Sequence, residues 1–230
     1  MRAPITAVVT TYFPAGPVGD SRFASCLVTL KSWAKFLRYD GELHYEIINS
    51  PDMISADHEL VLRRALKGKP VSFGYTDRGV GAALNLGFLD TYAAGSPLTF
   101  YAADDWALEA PFDLSPWADL LIAQPPAGMV RLGPPHPDLT GTVLMLPQGW
   151  VLRLDRHHYA FGHRPALYHQ RMFEAYGRFD ENSSAWECER LYNEHFCATA
   201  GPDVVYALPY PWRHVGETEV GDHEPQRLEG

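Results

Sequence analysis

The pattern of apolar and polar positions divides the chain near residue 110. Before that point, nearly continuous apolar runs alternate with helical spacings. Ile5–Tyr12 is rich in β-branched residues, which marks a strand covered on both faces. Pro14–Gly19 interrupts it. Asp20 or Ser21 is then placed to cap a helix with apolar positions at Phe23, Leu27, Leu30, Trp33, Ala34 and Leu37. Leu43–Asn49 predicts a second strand. His58–Lys67 predicts a helix carrying Leu60, Val61, Leu62 and Leu66, and Val71–Tyr75 a third strand. Gly79–Ala93 predicts a helix that begins on small residues. Leu98–Tyr101 predicts a fourth strand, bounded upstream by Gly95, Ser96 and Pro97. This alternation of strand and helix predicts an α/β fold with a mostly parallel central sheet, flanking helices and right-handed crossovers.

After residue 110, prolines punctuate shorter segments. Trp117–Ala123 predicts a short helix and Gly128–Leu132 a strand. Val143–Leu146 and Trp150–Leu154 flank Pro147-Gln148-Gly149 and predict a hairpin. His157–Phe161 reads as a further strand. Pro165 suits the opening of a helix that runs to Tyr176 and is closed by Gly177. Asn182-Ser183-Ser184 can cap a helix over Ala185–Thr199, and Val204–Leu208 is the last strand. The acidic, glycine-containing stretch from Gly216 onward reads as a mobile tail. No long linker separates the two halves, so the chain reads as a single compact domain.

Composition narrows the function classes. The chain has 230 residues and is 46% hydrophobic, enough for one well-cored domain. A net charge of -9 disfavours a broad nucleic-acid-binding surface. Cys26, Cys188 and Cys197 contain no C-x-x-C and are odd in number, which argues against a disulfide framework or zinc knuckle. They read as reduced thiols in a cytoplasmic compartment. No apolar segment reaches membrane-spanning length.

The strongest chemical signal is Asp104-Asp105, at the end of the fourth predicted strand. Neighbouring carboxylates repel, and burying each unpaired costs roughly several kcal/mol. A divalent cation such as Mg²⁺ or Mn²⁺ removes the conflict, since hard cations prefer oxygen ligands. Ligands of open α/β sheets bind beyond the carboxyl ends of strands. The alternative is a turn that caps a helix at Trp106–Glu109. Other strand ends to watch are Thr10–Tyr12, Asn49–Asp52 and Thr76–Arg78. The glycines at 79, 81 and 87 do not fit G-x-G-x-x-G, and they follow the third strand rather than the first. They suit close helix packing, with helix N–H groups open to an anion.

Five segments, in this order and spacing, resemble the GT-A glycosyltransferases, and glycosyltransferase family 2 most of all. They are Val8–Tyr12, Arg78–Gly87, Tyr101–Asp105, Glu187-Cys188-Glu189 and His214-Val215-Gly216, spanning about residues 5–216. The resemblance implies a nucleoside-diphosphate sugar donor (a UDP-sugar favoured), a Mn²⁺ or Mg²⁺ cofactor, an acceptor hydroxyl and inversion at the transferred carbon. It implies a donor-binding half over about 1–110 and an acceptor-binding half over about 111–216. Thr10, Thr11 and Tyr12 would hold the nucleobase. Asn49 stands near the family's acidic base or ribose contact, with Asp52 as the acidic candidate. Arg78 would meet a phosphate, or the aspartates in the empty state. Asn85, intrinsically poor inside a helix, either faces the donor or is solvent-exposed.

Asp104 would contact sugar or ribose, while Asp105 and His214 would hold the metal. The triplet here is Ala-Asp-Asp, without the first carboxylate of the commoner Asp-x-Asp form. The catalytic base would be Glu187 or Glu189, with Glu187 ahead. Two apart on a helix, they cannot share a face, and either can instead answer the helix dipole. Trp150, His157, His158, Tyr159, Trp186 and Trp212 are available to stack on sugars or to fill a core. His163-Arg164 could meet donor phosphate or acceptor. Competing readings are a sugar-nucleotide nucleotidyltransferase and a non-catalytic nucleotide- or carbohydrate-binding protein. The first lacks its Gly-rich, basic loop, since Phe13-Pro14-Ala15-Gly16-Pro17 follows the first strand. Among acceptors, a nucleic acid is disfavoured by the charge.

Overall fold

The four apolar runs of the first half become parallel neighbours in one sheet. The computed structural model describes residues 2–134, 139–155, 161–207 and 211–216. In chain order the first half holds β1 (Ile5–Thr10), α1 (Pro17–Phe36), β2 (Leu37–Arg38), β3 (Leu43–Asn49), α2 (Ala56–Ala65), β4 (Val71–Tyr75), α3 (Val80–Ala93) and β5 (Leu98–Ala103). There follow β6 (Trp106–Leu108), β7 (Phe112–Asp113), α4 (Ser115–Ala123), β8 (Ala127–Arg131), β9 (Gly141–Leu146) and β10 (Gly149–Leu154). The last elements are β11 (Ala166–His169), α5 (Gln170–Tyr176), α6 (Ala185–Ala198), β12 (Asp203–Ala207) and β13 (Trp212–His214).

Nine of these strands form one sheet in the order β4-β3-β1-β5-β11-β8-β12-β10-β9. All but β11 and β10 point the same way, so the sheet is mostly parallel. Side chains alternate between its two faces. Ile5, Ala7 and Val9 of β1 enter one apolar cluster, with Trp33 of α1 and Leu121 of α4. Val8 enters the other, with Phe88 of α3, Met172 of α5 and Tyr192 of α6. The glycines of α3 permit close approach. A Cβ at Gly87 would come within 2.5 Å of the Val8 side chain, and one at Gly81 within 2.0 Å of the Asp180 carbonyl oxygen.

Several boundaries differ from the sequence reading. Helix α1 starts at Pro17, ahead of Asp20, because Gly16 takes a positive φ and Pro17 supplies a preset first helical position. Helix α2 starts at Ala56, where Ser55 accepts from the His58 N–H. Trp106–Leu108 is a strand rather than a helix, since it pairs antiparallel with β13. The segment after Pro165 is also a strand first. Ala166–Tyr168 is buried and pairs antiparallel with both β5 and β8, and the helix waits until Gln170. An apolar run covered on both faces reads alike as buried helix or strand.

The hairpin forms as expected, with Met145 opposite Trp150, and Gly177 closes α5 with φ 78°. The expected strand at His157–Phe161 falls mostly on residues 156–160, outside the described residues, as does the tail over 217–230. Cys26 and Cys188 are buried and Cys197 is exposed. Among the described residues no helix is long and apolar enough to cross a membrane.

Candidate functional site

A cavity of about 730 Å³ opens beyond the carboxyl ends of β1, β3, β4 and β5. Small-molecule sites run from roughly 300 to 1,000 Å³. Strand ends supply Thr10, Thr11, Tyr12, Asn49, Thr76, Ala103 and Asp104 to its wall. Gly79 and Val80 at the start of α3, and Ser184 and Ala185 at the start of α6, complete it. Two helix N-termini therefore meet one space, and their free N–H groups favour an anion there.

The acidic pair sits at one side of this space. Asp104 is buried, 2% exposed, and its Oδ1 lies 3.3 Å from Arg22 Nη2. Burial pushes its carboxyl up to about 7; the Arg22 charge opposes that shift and the Asp105 charge adds to it. Asp105 Oδ2 lies 3.0 Å from His214 Nε2. The β6–β13 pairing makes this contact by setting His214 opposite Trp106, and the Val215 N–H donates to the Asp105 carbonyl at 2.7 Å.

Asp104 Oδ2 and Asp105 Oδ1 are both buried and have no hydrogen-bond partner among the described residues. Gly216 keeps the space beside Asp105 open, since a Cβ there would come within 2.9 Å of Asp105 Oδ2. Unmet carboxylate oxygens, an adjacent imidazole and a cleared approach suit a hard divalent cation with few protein ligands. Among the described residues no cluster of three or more His, Cys, Asp or Glu side chains forms a metal site. Cys26 lies beneath, its thiol held well above the ordinary range by burial and by both aspartates.

A second chain of polar groups runs along the cavity floor. Thr10 Oγ1 and Tyr101 OH are 3.2 Å apart, and Tyr101 OH and His163 Nδ1 are 2.6 Å apart. The His163 backbone N–H donates to Glu189 Oε1 at 2.7 Å, and its Nε2 is 3.5 Å from the same oxygen. Burial lowers the His163 imidazole below its ordinary value, against the pull of Glu189. Burial therefore favours the neutral imidazole.

No family model and no curated protein matches the chain. Solved structures do. PcManGT, a mannosyltransferase from Pyrobaculum calidifontis solved with GDP-Man and Mn²⁺, matches with a TM-score of 0.53 and 15% identity, over 90% of this chain and 57% of its own. TarS 1-349 of S. aureus, solved with UDP, matches with a TM-score of 0.55 and 13% identity, over 89% and 60%. GalNAc-T7, solved with UDP, GalNAc and Mn²⁺, matches with a TM-score of 0.58 and 12% identity, over 90% and 42%. The fold is GT-A. The chain spans less than two thirds of each of these relatives.

The GT-A sheet brings only part of the expected residue set to the cavity. Thr10, Thr11, Tyr12 and Asp104 line it, and Asp105 and His214 meet beside it. Thr11 is held from below by the Asn49 amide at 2.6 Å, while the Tyr12 ring is half exposed. Three expected donor contacts lie elsewhere. Arg78 pairs with Glu181 at 2.8 Å, across the gap between α3 and the segment before α6. Asn85 is buried, and its amide is committed to the Phe179 N–H and carbonyl and to Glu181. Asp52 lines a smaller neighbouring cavity of about 270 Å³, with Phe13, Ser55 and His58.

Glu187 projects to the surface and pairs with Arg190 at 2.6 Å. Glu189 lies one turn below Ala185, on the face of α6 that borders the cavity. Of the aromatic candidates, Trp212 is buried in the core, whereas Trp150 and Trp186 are exposed. His157, His158 and Tyr159 lie outside the described residues. The sequence reading missed Arg22. The polar spacing of α1 held its only trace, since nothing local marks a contact 82 residues away.

Proposed function

We propose that this protein is a glycosyltransferase that binds a nucleoside-diphosphate sugar in the 730 Å³ cavity and transfers the sugar to an acceptor hydroxyl with inversion. One observation carries the reading. Two neighbouring carboxylates follow β5, each with an unmet buried oxygen, and the first of them, Asp104, lines a nucleotide-sized space in a GT-A sheet. The likeness to enzymes solved with GDP-Man, UDP and Mn²⁺ supports it. An odd, scattered set of three cysteines fits a reducing, cytoplasmic setting.

The chain's own groups take these roles. The hydroxyls of Thr10 and Thr11 and the ring of Tyr12 receive the nucleobase, by hydrogen bonding and stacking. Asp104 receives ribose or sugar hydroxyls. The N-termini of α3 and α6 face the donor's negative charge. Asp105 and His214 would hold Mn²⁺ or Mg²⁺, which supplies charge neutralisation to the leaving diphosphate. Glu189 takes the acceptor proton, since its helix face borders the cavity and Glu187 is turned outward to Arg190. Residues before about 110 supply most of the donor side. Later residues, including His163 and the start of α6, close the acceptor side.

The test combines binding and turnover. Thermal unfolding is followed with UDP, GDP and TDP, each with and without Mn²⁺. A ligand at 100 times its Kd adds about 2.7 kcal/mol. Metal-enhanced stabilisation by a diphosphate, lost in Asp105→Ala, is the expected outcome. The corresponding nucleotide sugar should then release nucleoside diphosphate in the presence of acceptors. No stabilisation by any nucleotide would remove the reading. Binding without release across an acceptor panel would favour a non-catalytic binder, and release of nucleoside triphosphate in the presence of pyrophosphate would favour a nucleotidyltransferase.

A further inference from the structure

We infer that Arg22 is a phosphate-binding residue of the cavity, and that its contact with Asp104 is a resting position given up when a diphosphate enters. The inference rests on the nucleotide-sugar reading and adds to it the group that senses the donor's phosphates.

The position of Arg22 follows from the start of α1. Gly19 touches the loop after β1 so closely that a Cβ there would overlap the Pro14 carbonyl oxygen at 1.6 Å. This contact turns the first turns of α1 toward the strand ends. Arg22, Ser25 and Cys26 then share the face that abuts the acidic pair. Ser25 Oγ reaches the Val215 carbonyl at 3.4 Å, and the buried Cys26 thiol feels the charges of Asp104, Asp105 and Arg22. The Arg22 guanidinium carbon lies 6.0 Å from the centre of the Tyr12 ring, and the residue lines the cavity.

The contact with Asp104 leaves both partners incomplete. A guanidinium that serves only as a counter-ion to a buried carboxylate gains most from a two-pronged pair. Here only Nη2 reaches Asp104, at 3.3 Å. Arg22 Nε is buried without a partner among the described residues, and so are Asp104 Oδ2 and Asp105 Oδ1. One unmet donor and one unmet anionic acceptor, both buried, therefore belong to residues that line the cavity, and a second unmet acceptor belongs to the next residue, Asp105. A lone cation would satisfy the carboxylates and leave the guanidinium, and a water could bridge the two without neutralising either charge. A cation that carries an oxygen-rich anion satisfies both, and a metal-bound diphosphate has that chemistry. The Arg22 side chain is 38% exposed, so the guanidinium can swing to such a ligand without unpacking α1. An arginine placed this way reads phosphate and not the base. It should therefore act alike on all nucleoside diphosphates.

The test is a calorimetric titration of the wild type, Arg22→Ala and Arg22→Lys with UDP, GDP, uridine and inorganic pyrophosphate, all in Mn²⁺. Unfolding temperatures are measured alongside. Loss of a charge-assisted hydrogen bond should weaken UDP, GDP and pyrophosphate by about 10- to 100-fold in Arg22→Ala, and uridine by less than about twofold. Arg22→Lys, which keeps the charge, should recover part of the loss. Two results would overturn the inference while leaving the nucleotide site in place. One is a variant that binds UDP as tightly as the wild type. The other is a variant that loses uridine and UDP equally, as expected if Arg22 only neutralises Asp104. If the wild type binds no nucleotide, the broader reading falls. The pyrophosphate arm then decides the role of Arg22 alone: binding lost in Arg22→Ala sustains it, and no binding to the wild type refutes it.

Discussion

Asp104→Asn should make the ligand-free protein more stable above neutral pH while weakening its response to a metal–nucleotide pair. The Asp104 carboxyl titrates near pH 7 in the fold, against an ordinary value of 3.8. Between those values the native state keeps a proton that the unfolded chain has released. Stability therefore falls as pH rises from about 4 to about 7, and the loss is complete above 7. The full difference corresponds to about 4 kcal/mol. Asparagine keeps the shape but cannot ionise. Allowing for local relaxation and the lost attraction to Arg22, a net gain of about 2 kcal/mol at pH 8 is expected, or about 4–8 °C in Tm for a chain of this size. The assay is scanning calorimetry of both proteins from pH 4.5 to 8 in EDTA, repeated at pH 8 with Mn²⁺ and UDP. Other buried acids contribute to both proteins, so the difference between the two curves isolates Asp104. That difference should widen with pH in EDTA and narrow once metal and nucleotide are present. A difference that stays flat across the pH range, or an Asp104→Asn protein that gains as much from Mn²⁺ and UDP as the wild type, would refute the claim that the site stores electrostatic conflict for a ligand to relieve.

Three more outcomes follow from single contacts. Asn85→Leu should cost about 2–4 kcal/mol in urea unfolding, because it strands the buried N–H and carbonyl of Phe179; a loss below about 0.5 kcal/mol would show that the amide is dispensable. Glu46 lies buried on β3, with its carboxyl pushed up to about 8 by burial and by Asp90. Its contribution therefore declines from about pH 4.5 to 8, and Glu46→Gln should flatten that decline and gain roughly 2 kcal/mol at pH 9; an unchanged pH profile would count against it. In a transfer assay Glu189→Gln should lower kcat by about 10²- to 10⁴-fold and Glu187→Gln by only a few-fold, and the reverse order would reassign the base to the outer carboxylate.

The sequence pattern located what neighbouring residues decide. β3 and β4 match their predicted spans end to end, each running from an apolar residue to a polar or exposed strand end, Asn49 and Tyr75. The short strand after Pro165 was hidden. Three buried residues between β5 and β8 offer no period to tell strand from helix, and only the partners on each side decide. Asn85 was a correct anomaly with the wrong cause: a polar amide inside a helix does mark a special contact, but its partners are the backbone before α6 and not a ligand.

At the site, legibility followed sequence distance. Asp104 and Asp105 are chain neighbours, so their conflict could be read directly. The groups that set its balance could not be read this way, since Arg22 is 82 residues from Asp104 and His214 is 109 from Asp105. Both contacts depend on tertiary events: the tight turn that aims α1 at the strand ends, and the pairing of β13 with β6. Two acids facing one singly bonded arginine and one imidazole leave the site short of positive charge. On the proposed reading, a ligand that brings its own cation is the occupant that suits these side chains. A neutral sugar without its nucleotide should bind weakly however well it fits the space.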